Sequence, residues 1–295
     1  MFTTLTNNLK IKKKKLMTYR LFNFAGNRLG DKIASAYLLQ ANKMLHNFEY
    51  ILFDTSSDLY FPIRHFFPDI GKNVIESTEP DEFLNFLIQK GIEPMHFGNL
   101  WISTPSMKQD SGILPKMILP SYLKDFQKSL VSNLEGKPLH EYQYRITNHL
   151  LKDAGYNCGR NHNPEQFNKL IKRIFEYVKD IKLDSVMIDI PIDYSWSVQY
   201  ILALLEFSDL YIGGDTGFTH AYASFNPTKP LIAIYGPNEH DVKAFEPERE
   251  RMEASSQWSS DPLSDNVSKF MMKDNLFDED EVFNEIINKI NLLKN

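Results

Sequence analysis

Residues 208–238 read SDLYIGGDTGFTHAYASFNPTKPLIAIYGPN, and this stretch decides the fold. Asp209 to Ile212 form a short run suited to a buried strand. Gly213 and Gly214 follow as a tight turn, and Asp215 and Thr216 then stand where a helix N-cap belongs, with the helix starting near Gly217. A helix N-terminus with small residues and free N–H groups is an anion site. Thr216 adds a hydroxyl, Gly217 lets a phosphate approach the backbone, and His220 lies one turn in, facing the same mouth. A second strand, 231–235, ends at Tyr235-Gly236-Pro237 on the same sheet edge. Two readings stay open from these residues alone. Asp-Thr-Gly is either a plain cap with His220 as a packing residue, or a phosphate site. An aspartic protease also carries Asp-Thr-Gly, but in all-β lobes and twice; here it occurs once among strands and helices.

Working outward, the same alternation recurs. Residues 19–24 (YRLFNF) predict a strand that ends at Gly26 and Gly30. Ile33, Ala34, Tyr37, Leu38, Ala41, Met44 and Leu45 then follow helical spacing, with Asp31 at the expected N-cap, and 50–53 (YILF) predict the next strand. Strand, turn, helix, strand is a βαβ unit and implies a parallel sheet. Further strands are expected at 74–76, 100–103, 142–147 and 186–190, and helices at 82–89, 121–131, 164–179, 196–207 and 279–293. Phe61, His65, Phe66 and Phe67 form an aromatic group that is either core or a ligand wall. Residues 134–141 (LEGKPLHE) are polar, carry Gly and Pro, and form the linker candidate between two α/β halves. The last helix has the option of packing back on the first half. The second half reads as short by one strand–helix unit between Lys179 and Val186.

The chain has 295 residues, 42% hydrophobic and 24% charged, so an ordinary globular protein is expected. Its 33 Lys and Arg against 38 Asp and Glu give a net charge of −5, which argues against a general nucleic-acid binder. One cysteine, Cys158, excludes an internal disulfide or a thiolate zinc cluster. No apolar run approaches the ~20 residues that span a bilayer. Lys12 to Lys15 form a basic run near the start. It reads as part of a disordered leader, 1–16, or as an electrostatic foothold on an anionic membrane surface. The location expected is cytoplasmic, with or without contact to the inner membrane face.

The quoted segment resembles the signature of glycosyltransferase family 9, the ADP-heptose:lipopolysaccharide heptosyltransferases and their relatives. The shared pattern is an apolar strand, Asp215-Thr216-Gly217, two variable residues, His220, then Lys229-Pro230 leading a strand to Gly236-Pro237. The turn 27–32 (NRLGDK) resembles the family's Leu-Gly-Asp turn. The resemblance implies an α/β fold of two Rossmann-like domains facing a cleft, the GT-B architecture. Residues 17–135 would then form the acceptor domain and 142–295 the nucleotide-sugar domain. It implies an inverting transfer from a nucleotide-diphosphate sugar to a glycan or glycoconjugate, with Asp31 as the catalytic base. The donor diphosphate falls to Asp215, Thr216, Gly217 and His220, with Arg160 as an added contact by position. Asp189, Asp193 and Gly236 are candidates for the nucleotide, and Arg28 and Lys32 for an anionic acceptor.

The chemistry requires both motifs. A base takes a proton from the acceptor hydroxyl, and N–H dipoles or positive charge stabilise the departing diphosphate. No metal and no cofactor beyond the nucleotide-sugar co-substrate are expected. Asp278-Glu279-Asp280 has the spacing of the metal motif of the other main glycosyltransferase fold, but it opens a helix, where acidic residues complement the dipole. The family's His-Pro-Gly strand end is replaced by Ile146-Thr147-Asn148-His149. Two rival functions remain: a non-catalytic nucleotide- or glycan-binding protein, and a sugar-nucleotide epimerase or hydrolase.

Overall fold

The computed structural model describes residues 21–24, 29–30, 33, 50–54, 63–67, 74–77, 79–89, 94–96, 117–132, 136–152, 161–191, 196–214, 216–236 and 266–294. Its strands form two sheets, and every pairing within them is parallel. The first contains β1 (Leu21–Phe24), β2 (Tyr50–Asp54), β3 (Val74–Ser77) and β4 (Pro94–His96), in the order β3-β2-β1-β4. Helix α1 (Ile63–Phe66) lies between β2 and β3 in the chain, and α2 (Pro80–Gln89) between β3 and β4. The expected α/β class with parallel sheets is therefore present. The expected strand at 100–103 lies outside the described residues, and β4, which opens on a proline, was not anticipated.

After α3 (Ser121–Lys128) the chain reaches the linker candidate, whose described residues are tied by backbone hydrogen bonds. The Ser132 N–H donates to the Lys137 carbonyl at 2.8 Å and the Leu139 N–H to the Leu130 carbonyl at 2.8 Å. Gly136 takes φ +64°, a conformation that favours glycine. Leu139, 3% exposed, packs with Leu130, Tyr142, Val186, Ile188 and Leu204, so the segment is anchored.

The second sheet contains β5 (Tyr144–His149), β6 (Ser185–Asp189), β7 (Leu210–Gly213), β8 (Leu231–Tyr235) and β9 (Val267–Met271), in the order β6-β5-β7-β8-β9. Helices α4 (Pro164–Asp180), α5 (Val198–Phe207), α6 (Gly217–Phe225) and α7 (Glu279–Lys294) flank it. Strand side chains alternate between the faces, and the alternation separates two cores. Ile146, Leu210, Ile212, Ile232 and Ile234 pack with the stripes Phe167, Leu170, Ile174, Val178 of α4 and Val282, Ile286, Ile290 of α7. Tyr211 and Leu231 pack instead with α5 and α6. The last helix thus buries its stripe within its own half, because the apolar face of α4 is its complement.

Helix α4 starts where its sequence says it should. Asn163 accepts from the Gln166 N–H at 3.0 Å and Pro164 occupies the first turn. It ends in a turn closed by the Leu183 N–H on the Val178 carbonyl, 2.9 Å, with Lys182 at φ 51°. That turn leads directly into β6. The acidic run at the start of α7 meets α4: Glu279 pairs with Lys169 at 2.9 Å and Arg173 at 2.6 Å, and Asp280 with Arg173 at 2.9 Å. Asp278 accepts from the Glu281 N–H at 3.0 Å as a cap. These carboxylates have capping and pairing roles, and among the described residues no three His, Cys, Asp or Glu side chains gather as metal ligands. Among those residues no helix is long and apolar enough to cross a membrane.

Candidate functional site

In an open parallel sheet, ligands bind beyond the carboxyl ends of the strands, where the strand order reverses. The order reverses between β1 and β4 in the first sheet and between β5 and β7 in the second. The chain after β1 carries Leu29 and Gly30, and the chain after β7 carries Gly214, Thr216 and the start of α6. These two places touch. A Cβ on Gly217 would stand 2.8 Å from the Gly30 backbone nitrogen and 2.8 Å from the Leu29 Cβ. A Cβ on Gly30 would stand 3.0 Å from Cδ2 of His220. At Gly217 the Cβ would meet backbone, so glycine is required there, whereas a Cβ at Gly30 would need the His220 ring to give by a few tenths of an ångström.

One apolar core extends beneath the contact. Leu29, Ile33, Phe66 and Phe67 share it with Phe218, Ala221, Tyr222 and Phe225 of α6. Phe66 meets Phe225 edge-on at 6.2 Å, and the Met117 N–H donates to the Ser224 carbonyl at 3.1 Å. Each large apolar side chain buried there contributes about 2 kcal/mol. Phe66 and Phe67 are both fully buried and His65 is exposed, so this part of the aromatic group is core rather than a ligand wall. Phe61 lies outside the described residues.

The turn into α6 is held from inside. Thr216 is the N-cap, its hydroxyl accepting from the Thr219 N–H at 3.4 Å. The Thr219 hydroxyl donates to the Gly214 carbonyl. Neither Gly213 nor Gly214 adopts the left-handed backbone that a glycine turn would use. Both are small for packing reasons. A Cβ on Gly213 would stand 2.6 Å from the Tyr211 hydroxyl, and one on Gly214 would stand 3.0 Å from Nε2 of His162.

Two histidines that the sequence reading left without a role sit here. His149 ends β5 in register with Gly213, 3% exposed, and its ring meets Phe218 edge-on at 5.3 Å. His162 is 2% exposed and stacks on Phe167 at 4.8 Å. Its Nδ1 accepts from the Leu151 N–H at 3.2 Å and its Nε2 faces the Ile234 carbonyl at 3.1 Å, which requires the Nε2–H tautomer. Burial lowers both pKa values to about 4, with the charge of His162 adding to the effect on His149 and the Ile234 hydrogen bond partly opposing it at His162. Both rings are therefore neutral near pH 7. The signal for His149 was its place at a strand end; nothing in the sequence pointed to His162.

The remaining site candidates divide. Thr216, Gly217 and His220 gather at the contact between the halves. Gly236 is buried just past β8, on the strand next to β7. Asp189 ends the edge strand β6, with β5 between it and β7, and its carboxylate accepts from Asn148 Nδ2. Lys229, the basic residue of the Lys-Pro pair, is at the opposite edge of the sheet. It donates to the Ser208 carbonyl at 2.8 Å and pairs with Asp209 at 3.3 Å, alongside Arg145 on Asp209 at 2.6 Å. It clamps the strand starts and takes no part in the mouth. Leu29 and Gly30 are already helical, so that helix begins at or before Leu29, upstream of its expected cap. Asp31, Arg28, Lys32, Arg160, Asp193 and Asp215 lie outside the described residues.

This architecture occurs in solved glycosyltransferases. The chain is similar to ADP-heptose lipopolysaccharide heptosyltransferase II of E. coli, with a TM-score of 0.52, 10% identity, and coverage of 93% of this chain and 98% of that one. It is similar to a family 9 glycosyl transferase from Veillonella parvula DSM 2008, with a TM-score of 0.52, 13% identity, and coverage of 96% and 99%. At such identities the likeness is one of fold, and it runs over nearly the whole of each chain. No family model and no curated protein matches the sequence.

Proposed function

We propose that this protein is an inverting glycosyltransferase. In this reading it moves a sugar from a nucleotide-diphosphate donor to a hydroxyl of a glycan or glycoconjugate, in surface-polysaccharide or lipopolysaccharide-type synthesis. The observation that carries the reading is the contact of Leu29-Gly30 with Gly217 and His220. It brings together the two segments that resemble the family's motifs, on a chain that shares its fold with two glycosyltransferases. Two Rossmann-like domains, 17–135 for the acceptor and 142–295 for the donor, would face a cleft in the GT-B manner. The location is cytoplasmic, with Lys12 to Lys15 available to an anionic membrane surface.

Asp31 follows Gly30 directly, one residue from the α6 N-terminus contact. As base it takes the proton of the acceptor hydroxyl while that oxygen attacks the anomeric carbon. The bond to the diphosphate oxygen breaks on the opposite face, which inverts the centre. The N–H groups opening α6 and the Thr216 hydroxyl stabilise the charge on the departing diphosphate. Leu29 and Gly30 cover Gly217, so in this reading the diphosphate reaches the turn from the side of Thr216. Neutral His149 and His162 bring no charge; in this reading Arg160 adds a contact to the diphosphate, and Arg28 and Lys32 serve an anionic acceptor. No metal enters this scheme.

The test is a thermal-shift panel of ADP, GDP, UDP and CMP and their sugar conjugates, followed by transfer assays. A ligand at 100 times its Kd adds about 2.7 kcal/mol to stability, so one nucleotide should raise the melting temperature clearly. Asp31→Asn should keep that shift and lose about 10²–10⁴-fold in transfer. No shift with any nucleotide would sink the reading. Binding without turnover, unchanged in Asp31→Asn, would point to a non-catalytic binding protein on the same scaffold.

A further inference from the structure

Tyr211 is fully buried in the middle of β7, the strand that leads into the Thr216 turn. Its ring runs along the strand over Gly213, so its hydroxyl reaches the base of the α6 N-terminus, against the hydroxyls of Thr219 and Thr216. Burial pushes the Tyr211 pKa up, so the group stays a neutral O–H donor. No hydrogen bond from it is complete among the described residues. The neighbouring hydroxyls have defined duties. The Thr219 proton goes to the Gly214 carbonyl, and the Thr216 oxygen accepts from the Thr219 N–H. The two threonine oxygens are 3.4 Å apart, and Thr216 is the outer, partly exposed member.

We propose that Tyr211 is a positioning residue for the diphosphate site: by offering its proton to the threonine pair from below, it leaves the Thr216 proton directed outward, to a ligand oxygen. This rests on the functional reading above and goes beyond it, because it names the group that sets the direction of the Thr216 hydroxyl. The inner donor matters because Thr219 has lone pairs open to whichever O–H is nearest. Without the tyrosine hydroxyl, Thr216 turns its own proton inward to Thr219, and an anionic ligand then meets an oxygen lone pair. A hydrogen bond to a charged oxygen is among the stronger kinds, and its loss corresponds to about tenfold in affinity.

The test is isothermal titration with the nucleoside diphosphates ADP and UDP and with pyrophosphate, on wild type, Tyr211→Phe, Thr216→Val and the double variant. Tyr211→Phe should weaken binding about tenfold. In the Thr216→Val background the same change should have no further effect on Kd. Thr219→Val, which removes the relay from the other side, should also weaken binding and keeps the test available if Tyr211→Phe folds poorly. Equal Kd values for wild type and a folded Tyr211→Phe would overturn the positioning role while leaving the donor site standing. So would an equal loss with and without the Thr216 hydroxyl, because a structural defect acts in both backgrounds. Absence of binding by wild type to all three probes would overturn both this inference and the reading on which it rests.

Discussion

At the scale of single residues, the site is organised by what glycine leaves out. Gly30 and Gly217 let two helix starts meet, and Gly213 and Gly214 make room for the Tyr211 and His162 rings. None of the four takes a left-handed backbone, so small size is what each contributes. Gly217→Ala separates this from conformational freedom. Alanine is favoured over glycine in a helix by up to ~1 kcal/mol, so on local grounds the change stabilises. The added methyl, however, would stand 2.8 Å from the Gly30 backbone nitrogen, which moves only with its chain. A net destabilisation of about 1–3 kcal/mol is expected, measured by urea denaturation. A gain in stability would mean that the halves do not touch there in solution. Thr216 as a helix cap was legible in the sequence, because Asp-Thr stands directly between a short strand-like run and the start of a helix. The partner of Gly217 was not, since nothing local in either segment encodes a contact made across the fold.

At the scale of elements, legibility followed burial. Helices α4 and α7 and strands β7 and β8 were all readable. Each is either a long stripe at helical spacing or a continuous apolar run buried on both faces. Strand β9 was missed because it is an edge strand whose five residues, VSKFM, are only partly buried or exposed. An edge needs little hydrophobic pattern, and polar residues there discourage pairing with other chains. The apparent shortening of the second half between Lys179 and Val186 has a local cause as well. Helix α4 passes into β6 through a short turn in which Lys182 takes φ 51°. A lysine pays about 1 kcal/mol for that conformation relative to glycine, the usual residue at such a helix end. Lys182→Gly should therefore raise stability by about 0.5–1 kcal/mol. Chemical denaturation would detect it, and a loss instead would indicate that the Lys182 side chain contributes to the fold.

At the scale of the whole molecule, the two buried histidines tie stability to pH. His162 accepts an N–H at Nδ1, so a proton added there would face a donor, and His149 is enclosed against Phe218. In the folded chain both hold pKa values near about 4, against 6.5 for the ordinary imidazole. As pH falls below 6.5, the unfolded chain binds protons that the folded one refuses until about 4, so stability falls across that window. Above 6.5 the contribution is complete and flat. The slope approaches about 1.4 kcal/mol per pH unit for each ring, or roughly twice that where both act. Carboxylates are expected to add their losses lower down. Although partial burial pushes Glu279 up, its bonds to Arg173 and Lys169 hold it below its ordinary 4.5, so its share is lost only beneath that value. Urea denaturation at pH 7, 6 and 5 should thus show a steep loss of stability before the carboxylates titrate. His162→Gln should begin less stable at pH 7 and lose less on acidification, since one of the two refused protons is gone. A wild-type stability that stays level from pH 7 to 5 would mean that water reaches both rings, and with it the strand ends on which the proposed donor site is built.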